Sequence, residues 1–207
     1  MIGDPLHYKP HHFKKAEKII NYLAKFQKFP IIITIAGESG TGKSEIADII
    51  QRRLFELNIR AYVISCDDYY KSSPGKRKEI RQKTGVISHK ELYWKKIKKI
   101  MRGFKKHKSK VYIQRYNLFS DSLEHTRINT TKLDVLIFEG LYAGYLDKAD
   151  LKIYLDSTHD DTYKFRKKRK KENPDDNWRK HVLKIEGEEV RKTKQHADVI
   201  IPFNLSD

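Results

Sequence analysis

The run Gly37-Glu38-Ser39-Gly40-Thr41-Gly42-Lys43-Ser44 spaces glycines, a lysine and a hydroxyl as G-x-x-x-x-G-K-S. Glycines let a backbone take positive φ and approach a phosphate closely. Successive N–H groups can then converge on one concavity at a helix N-terminus, where the dipole favours an anion. In this spacing Lys43 is suited to the β- and γ-phosphates of a nucleotide, and the Ser44 hydroxyl to Mg2+. The expected ligands are therefore ATP and Mg2+. A chance glycine turn would need no particular surroundings. Here an apolar β-branched run, Ile31 to Ala36, precedes the motif and a helical pattern follows it.

Two further carboxylate positions and one basic run could complete such a site. Asp67 and Asp68 follow the second apolar strand pattern. Ligands of an open α/β sheet lie beyond the carboxyl ends of its strands. Transfer of a phosphoryl group to an alcohol needs a carboxylate that orients the hydroxyl and takes its proton. Asp67 is the candidate; a polar pair that merely starts a loop is the competing reading. Asp134 to Gly140 is an apolar strand ending in Glu139, where an acid would help organise Mg2+. Lys164 to Lys171 is densely basic, with Arg166 and Arg169 able to share one helical face. A lid closing on a triphosphate would use such a face, and so would a nucleic-acid-binding or simply solvated helix.

Positioning these groups requires alternating strands and helices. Phe13, Ala16, Ile19, Ile20, Leu23 and Phe26 recur at helical spacing, so residues 12–28 are expected to be a helix stopped by Pro30. Strands are expected at 31–36, 61–65, 135–138, 153–155 and 199–201, with a shorter one at 111–114. Residues 92–104, 160–171 and 175–195 read as helices, and residues 71–88, with Pro74 and Gly75, as a long loop. The alternation predicts a three-layer α/β/α domain on a mostly parallel central sheet. No repeat or linker divides the 207 residues, so one domain spanning 1–207 is expected, with an N-terminal helix in 1–30 and a lid in about 157–173.

Composition sets limits. Charged residues make up 34% and hydrophobic residues 38%, and no apolar stretch approaches bilayer length, so no membrane partner is expected. Cys66 is the only cysteine, which excludes an internal disulfide and fits a reducing cytoplasm. Its expected role is a small apolar residue closing a strand. His7, His11 and His12 lack partners at metal spacing. Lys and Arg number 44 against 27 Asp and Glu, a net +17. Such a surface suits phosphorylated ligands or nucleic acid. The basic residues are spread over several segments, so nucleic acid is the lesser expectation.

Taken in order, these segments resemble the uridine kinase and phosphoribulokinase family of P-loop kinases. The matching pieces are G-E-S-G-T-G-K-S, D-D-Y-Y at Asp67 to Tyr70, D-V-L-I-F-E-G-L-Y at Asp134 to Tyr142, K-I-Y-L-D at Lys152 to Asp156, the basic lid, and A-D-V-I-I-P at Ala197 to Pro202. The resemblance implies a catalytic aspartate at Asp67, a metal-linked glutamate at Glu139, and lid arginines at Arg166 and Arg169. It also shows two departures. Uridine kinases carry an N-F-D-H-P-like element whose acid holds ribose hydroxyls; here Val86 to Lys90 has Ser88 in that place. Their Y-D-F-x-x-H-S-R-like element reads Tyr116 to Ser122 here, which keeps the tyrosine but loses the histidine, where Asp121 stands, and the arginine. Tyr70 and Tyr116 stand as acceptor-pocket aromatics or as packing residues.

The expected function is transfer of the γ-phosphoryl group of ATP to a small-molecule hydroxyl, as in uridine kinase. Alternatives are a pantothenate-kinase-like or sugar-phosphate kinase, and a nucleic-acid-binding P-loop protein that binds ATP. The acceptor, and whether the chain forms a homo-oligomer, stay open at this level.

Overall fold

The computed structural model describes residues 1–169, 173 and 175–203. Its centre is β1 (Ile31–Gly37), every residue of which is buried. β1 pairs in parallel with β5 (Val135–Glu139) on one side and β6 (Leu151–Asp156) on the other. β2 (Ala61–Ser65) and β7 (Val199–Pro202) extend the sheet to the order β2-β5-β1-β6-β7, all parallel. A strand buried on both faces needs apolar side chains in both directions, which the Ile-rich run supplies. Ile31, Ile33 and Ile35 pack with α1 (Pro10–Leu23) and α2 (Lys43–Glu56). Ile32 and Ala36 pack on the opposite side with Ile97 and Phe104 of α4 (Trp94–Lys105) and Val190 of α6 (Asn177–Arg191). Each fully buried isoleucine contributes about 1.5–3 kcal/mol. The expected three-layer α/β/α arrangement on a parallel sheet is therefore the one found.

Three elements differ from expectation. Residues 71–88 are not one loop, because they contain α3 (Pro74–Thr84). Pro74 occupies its first turn, where a missing N–H costs nothing, and Gly85 closes it at φ +67. Only Arg81 of that helix is buried, so it carries no apolar periodicity to read. The short strand expected at 111–114 is β3 (Val111–Asn117), paired antiparallel with β4 (Ser122–Ile128) in a separate two-stranded sheet. β4 shows no alternation because all its residues except Ile128 are exposed. Finally, α1 ends at Leu23, well before Pro30; Phe26 still packs on the core, but from a turn whose N–H reaches Leu23 O at 3.0 Å. The basic run supplies α5 (Tyr163–Arg169), and Lys170 and Lys171 lie outside the described residues.

Candidate active site

Register brings the candidate residues together. Ile35 of β1 and Ser65 of β2 both pair with Glu139, so β2 and β5 end level with each other, two residues before β1 ends at Gly37. The chain leaves β1 through Gly37 to Gly42 and enters α2 at Lys43, which forms the phosphate cradle. It leaves β2 through a 3-10 turn, Cys66–Tyr69, that carries Asp67. β5 delivers Glu139 between them.

The Ser44 hydroxyl donates to Glu139 Oε2 at 3.1 Å. Glu139 is 4% exposed, and burial, reinforced by the Asp67 charge, pushes its carboxyl above the usual range. Asp67 Oδ1 is buried without a hydrogen-bond partner among the described residues. A buried, unsatisfied carboxylate oxygen is costly unless a ligand meets it. At Gly140, φ is +146, and a Cβ there would stand 2.9 Å from Cys66 Cβ and 3.4 Å from Asp67 Oδ1. Glycine is thus what lets the Asp67 turn lie against the end of β5. Cys66 itself is fully buried, and burial raises its thiol well above the ordinary value, as suits a packing residue.

Lys43 Nζ donates to Glu38 O at 2.8 Å and so bends back across the cradle. Thr41 Oγ1 donates to the same carbonyl at 3.0 Å. Glu38 is 2% exposed and serves the scaffold. It accepts from the His159 N–H at 2.8 Å and pairs with the Arg191 guanidinium. Its side chain also lies where a Cβ on Gly187 would be, which ties α6 to the cradle.

The basic segment reaches the cradle directly. Thr162 Oγ1 donates to Ser39 O at 2.8 Å. Arg166 is 4% exposed, and its Nη2 donates to His159 O at 2.9 Å. Gly40 has φ +82, and a Cβ there would stand 2.8 Å from Arg166 Cγ. Arg169 closes α5, and its side chain lies outside the described residues.

A cavity of about 250 Å3 joins these groups. Ser39, Gly40, Gly42, Lys43 and Ser44 line it on one side, with Asp67, Tyr70, Glu139 and Arg166. Its outer wall holds three arginines that the sequence did not single out. Arg77 lies over the Tyr70 ring at 3.7 Å. Arg81 pairs with Glu91 at 2.7 Å and Glu186 at 2.9 Å. Arg179 reaches Glu186 at 3.4 Å. Arg77 and Arg81 are one turn apart on α3, the helix hidden by its polar face, so no sequence signal pointed to them. Tyr116 does not line this cavity: its N–H donates to buried Asp68 Oδ1 at 2.9 Å and its hydroxyl donates to Asp121. Ser88 is also elsewhere. It forms a capping box with Glu91, and Glu91 is the carboxylate that grips Arg81.

The sequence profile of the Phosphoribulokinase / Uridine kinase family matches residues 32–203. A curated uridine kinase of Ureaplasma urealyticum serovar 10 is 28% identical over 188 residues, which covers 86% of this chain and 90% of that protein. Among solved structures, phosphoribulokinase from Rhodobacter spheroides shares the fold with a TM-score of 0.64 at 14% identity, over 86% of this chain and 71% of that one. The D-glycerate 3-kinase of Cryptococcus neoformans shares it with a TM-score of 0.61 at 12% identity, over 90% and 88%. The profile spans the cradle, the Asp67 turn, Glu139 and the basic α5 segment alike, so the chain belongs to the phosphoribulokinase / uridine kinase family and is an ATP-dependent small-molecule kinase.

Proposed function

We propose that the protein transfers the γ-phosphoryl group of ATP to a hydroxyl of a small acceptor seated between Asp67 and the arginine wall. The observation that carries this reading is the meeting of cradle, Asp67, Glu139 and Arg166 at one cavity. The cradle N–H groups and Lys43 hold the phosphates. Asp67 accepts the proton as the acceptor oxygen attacks phosphorus, and ADP leaves with the electron pair of the broken bond. Arg166 compensates the charge spread over the transferring group. The lid segment packed on Ser39 and Gly40 keeps water out.

Ser44 and Glu139 suit a magnesium ion, which is bound by few protein oxygens and keeps several waters. When bound it would neutralise charge on the phosphates. The absence of an aspartate at Ser88 is consistent with an acceptor grip unlike that of uridine kinases.

One observation favours a second reading of the acceptor. Arg77 faces the cavity on Tyr70 with no carboxylate partner among the described residues. A guanidinium so placed suits an acceptor bearing an acidic group, such as a sugar phosphate, better than a neutral nucleoside.

Asp67→Asn tests the chemistry. It preserves size and removes basicity, so kcat is expected to fall by about 10²–10⁴-fold. ATP affinity should stay within a few fold, because the cradle supplies most phosphate contacts. An unchanged kcat at saturating ATP would remove Asp67 from the reaction.

A further inference from the structure

The phosphate cavity uses few of the 44 lysines and arginines. Six of the others share one feature. Lys96, Lys99, Arg102, Lys106, Lys108 and Lys110 line a groove of about 510 Å3 between α4 and β3. All six are exposed. No Asp or Glu lines this groove, and none of the six pairs with a carboxylate among the described residues. The contrast lies within one helix. Lys98 and Lys105 of α4 point away from the groove, where Lys98 meets Asp147 at 3.3 Å and Lys105 meets Asp150 at 2.7 Å. So two α4 lysines outside the groove are compensated, while the α4 lysines and arginine lining it meet no carboxylate among the described residues. Like charges three or four residues apart on a helix destabilise it, which makes this face a poor choice for stability alone.

Shape and spacing indicate the anion. Lys96 to Lys106 spans about 15 Å along the helix, which suits a row of phosphates better than a single one. The groove is concave, with the buried Gln114 holding Lys96 Nζ at 2.8 Å in its wall. A membrane surface would be met by a flat face. Tyr112 of β3 lines the groove, 69% exposed, and no ring or cation contacts it among the described residues. His125, opposite Gln114 on β4, lines it too. A cationic track beside an open aromatic face is the combination that binds single strands, in which phosphates follow the charges and a base stacks on the ring. No residue lining this groove also lines the cradle cavity.

We propose that the α4–β3 groove binds single-stranded nucleic acid, with its lysines along the phosphates and Tyr112 stacked on a base. This is a site separate from phosphotransfer.

The test is fluorescence anisotropy with end-labelled single strands of about twelve nucleotides, one RNA and one DNA, over a range of salt concentrations. Each lysine–phosphate contact adds about 0.7 to the slope of log affinity against log salt. Lys99→Glu/Lys106→Glu should therefore flatten the slope by about 1.4 and weaken binding at least tenfold beyond the control. The control, Lys18→Glu/Lys25→Glu, makes the same charge change on the opposite layer. Tyr112→Ala should weaken both oligonucleotides by about 5- to 150-fold and leave inorganic polyphosphate binding unchanged. Every substituted residue but Lys18 is exposed, and thermal unfolding confirms that each variant is folded. A stronger RNA than DNA signal identifies the strand type. Equal weakening by groove and control variants would overturn the proposal in favour of diffuse charge. So would indifference to Tyr112, or retention on anionic vesicles through the same lysines without oligonucleotide binding.

Discussion

His12 makes the cradle sensitive to acid, and the size of the effect follows from its position. Its ring sits beneath the phosphate loop, 4% exposed, with Nε2 at 2.5 Å from where a Cβ on Gly42 would be. Burial, aided by the adjacent His11, Lys9 and Lys15 and opposed by Glu45, pushes its pKa down to about 4. An unfolded chain protonates histidine near pH ~6.5. Between those values the unfolded state binds the additional proton, so unfolding free energy falls as pH falls. The contribution is complete above about pH 6.5 and is lost progressively toward about pH 4. At about pH 4.5 the loss is about 2–3 kcal/mol, a large part of a typical stability of about 5–15 kcal/mol. Urea unfolding of the wild type and of His12→Phe, followed by tryptophan fluorescence from about pH 7.5 to about 4.5, isolates this contribution, because the carboxylates titrate in both proteins. The difference between the two stabilities should change by about 2–3 kcal/mol in favour of the variant as acid is added. Parallel curves, differing by less than about 0.5 kcal/mol in their pH dependence, would refute the assignment of a buried neutral imidazole.

Other consequences concern α5 and the arginine wall. Gly40→Ala forces a Cβ against Arg166 Cγ at 2.8 Å and Thr162 Cβ at 3.1 Å, at a φ of +82 that costs an L-residue about 1–2 kcal/mol. It should lower kcat at least tenfold while the protein remains folded, and steady-state kinetics beside a thermal melt separates the two effects. Arg81→Met leaves Glu91 and Glu186 facing each other's charge in a buried site and should cost about 3–5 kcal/mol, read as a fall in Tm of about 6–20 °C.

How much of this was legible in the sequence depended on which physical signal each part carries. β1 was readable because a strand buried on both faces needs a continuous apolar run, and Ile31 to Ala36 is one. The cradle was readable because its glycines and Lys43 are dictated by local backbone geometry, and glutamate at the end of β5 announced itself as an acid closing an apolar strand. α3 was hidden because its one buried side chain is Arg81, held by ion pairs and not by apolar packing. β4 was hidden because its exposed residues lack alternation. The meeting of Arg77, Arg81 and Arg179 with Tyr70 at one cavity depends on contacts distant in sequence, such as the Arg81–Glu186 ion pair between α3 and α6, which no local pattern encodes. Tyr116, grouped with Tyr70 by motif, is directed by β3 toward Asp68 and Asp121 instead of the cavity.

The central claim is phosphoryl transfer to a small hydroxyl acceptor at the cradle. The direct measurement incubates the protein with γ-labelled ATP, Mg2+ and a panel of nucleosides, pantothenate and sugar phosphates, with products separated by mass and Lys43→Ala run alongside. Label should appear on one acceptor class with the wild type and be absent with Lys43→Ala, whose Tm should be close to that of the wild type. Label that stays in ATP across the whole panel, or transfer that persists in a folded Lys43→Ala, would contradict the account.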